Sequence, residues 1–408
     1  MNLELKNDPQ QASPVVRAQA LYYGARVVVA THYLTYGPSQ ALREYLLQEK
    51  NRALLFLAHP LAGSNQEDRS YFELIENGLI KTKKTAGPRS QSFFVNCCSE
   101  LFLNIKWSIA SRQRYDLFVG VDNWNCLAGL FLKNLGLVKK VVYYVIDYFP
   151  TRFDNKLLNW FYFQVDKFCV RWADETWNLS VNMANARERD HQMSQLKYNR
   201  QKVVPIGVWF DKITRQDFSQ VKKRQAVFVG HLLEMMGVQL AIRAIPLIIK
   251  KIPDFHFLVI GGGEYETTLK NLAKEMAVEN YITFTGWIKD RQARDRLMAD
   301  SAVGIAVFNT DILDEKVKNA DPAKIKDYLA LGLPVILTDA PANAYDLQNN
   351  NCGIIVKYQE ASLANALAGL LLDEQKLAQY RANALRYIKQ YNWPDLFDFN
   401  LKRVLNTL

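Results

Sequence analysis

The chain has 408 residues, of which 49% are hydrophobic and 23% are charged, and its net charge is +10. This length is enough for two or three domains, and the composition excludes a disordered or fibrous chain. No apolar run reaches the roughly 18 residues that a membrane-spanning helix needs, and no signal peptide is visible, so we expect a cytoplasmic protein. The five cysteines, at positions 97, 98, 126, 169 and 352, lack zinc-site spacing and are expected to be reduced.

The positive charge is concentrated in the first half. Residues 1–205 contain 26 Lys and Arg against 18 Asp and Glu, a balance of +8, whereas residues 206–408 contribute +2. A basic half favours an anionic acceptor, an anionic membrane surface or nucleic acid as partner. The basic segment 81–89 is predicted to be a loop, which is either solvated or in contact with phosphate headgroups at the inner face of a membrane.

Strands and helices alternate along the first half after residues 1–20, which we expect to be a loose leader. The apolar runs that predict strands are residues 26–31, 53–58, 116–121, 141–146 and 175–179. This alternation is typical of a doubly wound α/β domain, here over residues 21–204. An aromatic band at residues 154–172 is predicted to be core, or else a surface that rests on a membrane or binds a lipid-linked acceptor.

Polar residues follow two of these strands. His32 and Gly37 follow the first strand, at the edge where doubly wound sheets bind ligands. For His32, a structural, hydrogen-bonded histidine is the favoured alternative. Asp147 and Arg152 follow the run at 141–146. Asp147 is a candidate to hold an acceptor hydroxyl or to act as a weak base, and the alternative is a turn closed by Arg152.

The second half repeats the alternation over residues 205–393, with strands predicted near 226–229, 255–260, 281–284 and 303–308. Glycines follow the first two of these strands, at Gly230 and at Gly261 to Gly263, and they allow a backbone or a ligand to approach closely. No GxGxxG pattern follows a strand, so a dinucleotide-binding oxidoreductase is disfavoured.

The most informative stretch is residues 321–339, which predict a capped helix followed by a buried strand. Asp321 is expected to cap the helix, and Gly332 suits its end. Lys324 lies in the first turn, where the helix dipole and unpaired N–H groups favour an anion such as phosphate. Asp327, three residues on, suits a pair of sugar hydroxyls. The alternative is an amphipathic helix with a surface Lys–Asp pair.

This stretch resembles the nucleotide-sugar motif of GT-B glycosyltransferases of the retaining family four, the group 1 glycosyltransferases. Many members have Pro-x-Lys-[Ile/Leu]-x-Glu-Tyr-x-Ala-x-Gly-x-Pro-Val. The matching residues here are Pro322, Lys324, Ile325, Asp327, Tyr328, Ala330, Gly332, Pro334 and Val335. The resemblance is strong over residues 205–393 and topological over residues 20–204. It implies two doubly wound Rossmann-like domains facing a central cleft, with residues 394–408 packing back on the first domain.

The resemblance also implies a donor site. Lys324 would meet the diphosphate and assist catalysis, Asp327 would bind the ribose, and Asn319 stands where many relatives have a Glu that contacts the donor sugar. The other donor-binding candidates are Gly230, His231, Gly262, Gly263, Trp287 and Ile288, the last two beside the base. Relatives usually clamp the diphosphate with an Arg and a Lys at the positions of His231 and Met236, so Lys324 and Lys326 are expected to carry the phosphate load here.

The function implied is transfer of a sugar from a nucleotide-sugar to a glycan or lipid-linked acceptor, in cell-surface glycan or glycolipid synthesis. The family chemistry retains the anomeric configuration and needs neither a metal nor a further cofactor, and it involves no nucleic acid. Two alternatives stay open: a nucleotide-sugar 2-epimerase or hydrolase with the same fold, and a non-catalytic GT-B subunit that has lost the clamp.

Overall fold

The structure is a computed structural model. It describes residues 24–33, 36–49, 52–60, 69–88, 93–194, 200–313 and 315–406. The predicted leader, residues 1–20, lies outside the described residues. Within those ranges, none of the helices combines the length and the apolar character needed to cross a membrane.

The first half forms an eight-stranded sheet whose strands are mostly apolar runs with buried side chains. Its elements are β1 (Arg26–Tyr33), α1 (Pro38–Gln48), β2 (Ala53–Pro60), β3 (Arg69–Glu76), β4 (Leu79–Pro88), α2 (Phe93–Ala110), β5 (Tyr115–Val121), α3 (Asn123–Asn134), β6 (Val138–Val145), α4 (Lys156–Trp172), β7 (Glu175–Asn178), α5 (Val181–His191) and β8 (Gln201–Val203). The strand order is β4-β3-β2-β1-β5-β6-β7-β8. All neighbours pair in parallel except β2 with β3 and β3 with β4.

The prediction of a basic loop at residues 81–89 is wrong for residues 81–88, which belong to the edge strand β4. A tight Asn77-Gly78 turn, with φ of 50° and 79°, connects β3 to β4, and this dipeptide is a strong hairpin signal. Glu73 on β3 stands opposite Lys83 on β4, and their charged groups are 3.2 Å apart. Lysines on an edge strand discourage pairing with another chain, which accounts for the basic sequence without a ligand.

The second half forms a six-stranded, wholly parallel sheet. Its elements are β9 (Lys222–Val229), α6 (Val238–Ile249), β10 (His256–Ile260), α7 (Glu266–Glu275), β11 (Ile282–Phe284), α8 (Arg291–Ala299), β12 (Ser301–Ala306), α9 (Glu315–Asn319), α10 (Ala323–Ala330), β13 (Val335–Leu337), α11 (Ala344–Asn349), β14 (Gly353–Ile355), α12 (Glu360–Leu371), α13 (Glu374–Ile388) and α14 (Trp393–Asn406). The order β11-β10-β9-β12-β13-β14 reverses direction between β9 and β12. Ligands bind doubly wound sheets at such a reversal.

The chain passes between the two sheets twice, and the two passages lie side by side. The Val208 N–H donates to the Tyr391 carbonyl oxygen at 2.8 Å, and the Trp393 N–H donates to the Val208 carbonyl oxygen at 2.9 Å. Helix α14 then packs on α1 of the first half, where the Phe397 ring lies 5.6 Å from the Tyr45 ring. The last helix therefore belongs to the hydrophobic core of the N-terminal domain.

We expect Phe397→Ala to destabilise the protein by about 3–5 kcal/mol, because the ring is buried and stacks on Trp393 at 4.7 Å. Phe399→Ala is the matched control on the same helix, since the Phe399 side chain is 66% exposed, and it should change stability by less than about 1 kcal/mol. Urea unfolding measures both. Equal losses in the two variants would contradict the packing of α14 described above.

Candidate functional site

Five predicted donor residues lie together at the carboxyl ends of β9, β10 and β11. Gly230 follows β9 with a φ of +143°, a conformation that side chains rarely adopt. A Cβ atom on Gly263 would lie 2.4 Å from the Leu232 carbonyl oxygen and 2.9 Å from the His231 ring. Trp287, whose side chain is 61% exposed, lies beside Gly262. The loops therefore form a shallow floor at the edge of the second sheet, and Ile288 packs half-buried behind it.

Lys324 projects under this floor from the first turn of α10. A Cβ atom on Gly230 would lie 3.2 Å from the Lys324 Nζ atom. The ammonium group lies 4.3 Å from the centroid of the Phe228 ring and 3.5 Å from the Met236 Sδ atom. Within the described part of the chain, no carboxylate pairs with it, and burial lowers the Lys324 pKa to about 7.

The start of α10 differs from the prediction, because Asp321 does not cap the helix. Pro322 occupies the N-cap position, and the Asp321 carboxylate accepts the Ile206 N–H at 2.8 Å. Burial raises the pKa of Asp321, while Lys326, 3.6 Å away, acts against that rise. The Asp321 carboxylate thus connects the start of α10 to the segment between the domains.

Lys326 is not placed to contact the diphosphate together with Lys324, contrary to the expectation. Its side chain is buried, its ammonium group lies near Asp321, and it also lies 3.1 Å from the centroid of the Tyr391 ring. Residues two apart on a helix point to nearly opposite sides, so Lys324 and Lys326 face different surroundings.

Asp327 already has two cationic partners on α8. Its carboxylate lies 3.2 Å from the Arg294 guanidinium and 3.7 Å from that of Arg291. Burial raises the pKa of Asp327, and the two arginines oppose that rise. The Arg291 guanidinium also stacks 4.9 Å from the centroid of the Tyr36 ring in the first domain. The assignment of Asp327 to the ribose stays a prediction, now with an arginine pair beside it.

Asn319 lines a cavity of about 510 Å³ between α5 of the first domain and α9 of the second. Its side chain is only 4% exposed, and no described residue accepts a hydrogen bond from its amide nitrogen. The backbone carbonyl oxygen of Asn319 accepts a hydrogen bond from the Ser180 hydroxyl, and this bond joins the two domains. The cavity is lined mainly by polar side chains: Asn182, Asn185, Arg189, Thr310, Glu315, Lys318, Asn319 and Asp339.

The predicted acceptor-side residues lie at the carboxyl edge of the first sheet. His32 Nε2 is 3.0 Å from the Glu100 carboxylate; burial lowers the His32 pKa, but Glu100 outweighs it and the net shift is upward. Arg152 lies 3.8 Å from Asp122. Asp147 is exposed just after β6 and lies close enough to Arg152 to interact with it electrostatically, so the turn between these two residues stays a prediction. Gly37 precedes α1 in an extended conformation that any residue can adopt.

Sequence reasoning missed Glu100, Asp122, Arg291 and Arg294. Asp122 has a φ of +80° and accepts the N–H of Asn123, so its backbone is strained at the switch point of the first sheet. A short polar residue between a strand and a helix is a signal that identifies Asp122. The two arginines had no such signal, because Arg294 and Asp327 are 33 residues apart. No group of three or more His, Cys, Asp or Glu among the described residues is placed to hold a metal ion.

The second half of the chain is similar to known protein sequences. Residues 210–387 match the family described as glycosyl transferases group 1. A GDP-mannose-dependent alpha-(1-6)-phosphatidylinositol monomannoside mannosyltransferase of Mycobacterium tuberculosis is 24% identical over 192 residues, which are 45% of this chain and 47% of the relative. The chain therefore spans about half the length of the curated relatives it matches.

Solved structures extend the likeness to the whole fold. Anabaena HepE in complex with UDP is similar with a TM-score of 0.68 and 14% identity, over 94% of this chain and 100% of that chain. Sucrose-phosphate synthase from Thermosynechococcus elongatus is similar with a TM-score of 0.67 and 14% identity, over 94% and 99%. The predicted fold class, two Rossmann-like domains in the GT-B arrangement, is confirmed.

We expect Tyr328→Phe to destabilise the second domain by about 1–3 kcal/mol, because the buried Val229 N–H loses its hydrogen-bond acceptor. The Tyr328 hydroxyl accepts the Val229 N–H at 2.8 Å and donates to the Ile305 carbonyl oxygen at 3.3 Å, and so fixes the end of β9 beside Gly230. Tyr345→Phe is the control, since Tyr345 is 61% exposed. Thermal unfolding of both variants is the measurement, and an unchanged Tyr328→Phe midpoint would contradict this role.

Proposed function

We propose that this protein transfers a hexose from a nucleotide-sugar to a hydroxyl acceptor, with retention of configuration, because its residues 210–387 match the family described as glycosyl transferases group 1. The observation that carries the proposal is the Lys324 ammonium group, which lies under Gly230 at the switch point of the second sheet with no carboxylate partner among the described residues. A half-buried cation without a carboxylate partner is suited to a ligand that brings negative charge.

The proposed chemistry is stabilisation of the leaving diphosphate. As the bond between the anomeric carbon and the phosphate oxygen breaks, negative charge grows on the diphosphate. The Lys324 ammonium and the N–H groups at the start of α10 are fixed before the reaction, so they stabilise that charge without reorganising. The acceptor hydroxyl attacks from the same face of the sugar and passes its proton to the departing diphosphate. No enzyme nucleophile is required in this scheme.

The rest of the donor is assigned by chemistry and position. The exposed Trp287 ring beside Gly262 is suited to stacking on the base, with Ile288 behind it. Asp327, held by Arg294, is suited to accepting hydrogen bonds from ribose hydroxyls. The cavity at Asn319 offers an amide donor and the Asp339 carboxylate, which suits the hydroxyls of a hexose. His231 would add one further hydrogen bond to the phosphates.

The relatives support the donor class without fixing it. The mycobacterial relative is named for GDP-mannose, and the Anabaena structure holds UDP. Both ligands contain a nucleoside diphosphate, which is the part of the donor that Lys324 would meet. We therefore propose a nucleoside-diphosphate hexose as the substrate class, and a glycolipid headgroup as the acceptor, by analogy with the phosphatidylinositol mannoside in the relative's name.

The acceptor proposal is supported by an apolar surface on the first domain, formed by α2, α3 and α4. The exposed apolar side chains on and just after these helices are Phe94, Val95, Phe102, Ile109, Phe131, Leu135, Leu157, Trp160, Phe161, Phe168 and Trp172. A patch of this extent on a monomer marks an interaction site. Tryptophans at such a surface suit the boundary between water and lipid.

The charges of the same three helices favour an anionic lipid surface. Their acidic residues, Glu100 and Asp166, are both buried. Their basic residues are Lys106, Lys133, Lys156, Lys167 and Arg171, and all are at least partly exposed. The α2–α4 surface thus presents apolar and cationic groups together. We propose peripheral attachment of this surface to an anionic membrane, with His32, Asp122, Asp147 and Arg152 facing the acceptor headgroup.

The function is tested by incubating pure protein with a panel of nucleotide-sugars and glycolipid acceptors and measuring nucleoside diphosphate release. Asp327→Asn should weaken donor binding about tenfold, because a charge-assisted hydrogen bond is worth roughly 1.5–3 kcal/mol. Lys324→Ala should lower kcat more than it raises KM, because the diphosphate gains charge in the transition state.

Matched controls are Asp398→Asn and Lys402→Ala, an ion pair on α14 that lies in a different domain. Both should leave turnover unchanged. Product that is free sugar without acceptor would favour a hydrolase, and binding without any turnover would favour a non-catalytic subunit. If the Asp327 and Lys324 variants turn over donor like the unaltered protein, these residues do not serve the donor.

Membrane attachment is tested by flotation with phosphatidylcholine vesicles and with vesicles that also contain phosphatidylglycerol. We expect flotation with the anionic vesicles, weakened by salt because the Debye length falls to about 3 Å at 1 M. The double change Trp160→Ser and Trp172→Ser should abolish it, whereas Tyr345→Ser, an exposed aromatic of the second domain, should not. Equal flotation with neutral vesicles at low salt would contradict the role of charge.

A further inference from the structure

We infer that Lys324 is a proton-linked phosphate sensor: it takes up a proton when a nucleoside diphosphate binds, and Met236 is the positioning residue that keeps it neutral beforehand. This inference rests on the proposed function and adds a regulation of the same site by pH. It predicts that donor affinity declines as the solution becomes alkaline, although every permanent charge of the protein stays in place.

Lys324 is half-buried, and three apolar side chains surround its ammonium group. The Nζ atom lies 4.3 Å from the Phe228 ring centroid, 5.3 Å from the Phe308 ring centroid and 3.5 Å from the Met236 sulfur. A thioether is a weak acceptor, and an aromatic face attracts a cation only modestly. Such a site stabilises an ammonium group much less than water does, so burial favours the neutral amine.

Met236 is held in this position by the backbone that follows it. Gly237 has a φ of +75°, and a Cβ atom there would lie 1.6 Å from the Val307 carbonyl oxygen. The Asn309 N–H also donates to the Met235 carbonyl oxygen at 2.9 Å. The loop after β9 is therefore fastened to the end of β12, with Met236 directed at Lys324. Met236 therefore offers the ammonium group an apolar contact, where a charged side chain would change its protonation.

Other ionisable groups near the site do not take over this role. On α10 itself, Asp327 is paired with Arg294, and Lys326 faces Asp321 on the far side. His231 and Glu234 lie on the loop after β9, and Asp311 follows β12. None of these groups contributes to the lowering of the Lys324 pKa, which is caused by burial.

The direction in which donor affinity changes with pH follows from these contacts. Below about neutral pH Lys324 is already protonated, so binding needs no proton. At higher pH the unliganded amine is neutral, and the incoming diphosphate favours the ammonium form. Binding then takes up one proton, and the dissociation constant rises about tenfold for each pH unit until the bound form also deprotonates. The phosphates themselves stay ionised there, because their last pKa is about 6.

The experiment is calorimetric titration of the full chain with UDP and with GDP at about pH 8.5, in buffers of different ionisation enthalpy. The dependence of the observed enthalpy on the buffer gives the number of protons taken up. We expect about one proton for the unaltered protein. Lys324→Arg, a permanent cation, should bind with no uptake and with a flat pH profile. Lys324→Met, neutral at all pH values, should bind weakly and also without uptake.

Two substitutions isolate Met236. Met236→Leu keeps the contact apolar, so proton uptake should be unchanged. Met236→Gln offers a carbonyl oxygen to the ammonium group, so it should reduce the uptake and flatten the pH profile. His231→Gln should retain the uptake, which assigns the proton to Lys324. A merely structural role of Met236 would alter the thermal midpoint but not the number of protons.

The outcomes separate this inference from the proposed function. If neither nucleoside diphosphate binds at neutral or alkaline pH, the proposed function fails. If a nucleotide binds without proton uptake, or if Lys324→Arg keeps the uptake, the inference is wrong and the proposed function stands. If Met236→Gln takes up as many protons as Met236→Leu, the role of Met236 is wrong.

Discussion

Parallel strands deliver the loops that follow them to one edge of a sheet, and this constraint decides where the functional side chains of the protein lie. In the second domain it brings the turns after β9, β10 and β11 against one another, although Gly230 and Trp287 are far apart in the chain. In the first domain it brings His32 and Asp122 to the carboxyl ends of neighbouring strands. Each domain thus gathers its candidate functional residues at the carboxyl edge of its sheet.

Helix α10 carries residues of the proposed donor site as well as residues that contact the connection between the domains. Lys324 and Asp327 lie toward Gly230 and Arg294, whereas Asp321 and Lys326 lie toward Ile206 and Tyr391. The second group touches both passages of the chain between the sheets. Helix α10 therefore contacts the connection between the domains directly, without any intermediate element.

The fold and the loops that carry the proposed donor residues could be predicted from the sequence, because both depend on local patterns. Apolar runs, glycine turns and the residues after Pro322 are contiguous signals, and the two-domain GT-B fold follows from them. The partners of the site residues could not be predicted in this way. Asp321 reaches Ile206 across 115 positions, and His32 reaches Glu100 across 68. Pairing at that distance is decided by packing, which a single sequence does not encode locally.

Two errors had local causes that were visible. The Asn77-Gly78 turn marks the hairpin that was mistaken for a basic loop. The helical period of 3.6 residues separates Lys324 from Lys326 and argues against a shared ligand. The roles of Asp327, Asn319 and Asp147 stay predictions, because a structure gives their neighbours and not their substrates.

The return of α14 to the first domain also has a consequence for synthesis. A ribosome makes the chain from its amino end, and domains generally fold in that order. Here the first domain needs Trp393, Phe397 and Leu401 to complete its core, and these residues are made only after the second domain has been synthesised. Until then the face of α1 around Tyr45 and Leu46 lacks its cover and exposes apolar surface. The second domain can therefore finish folding before the core of the first domain is complete.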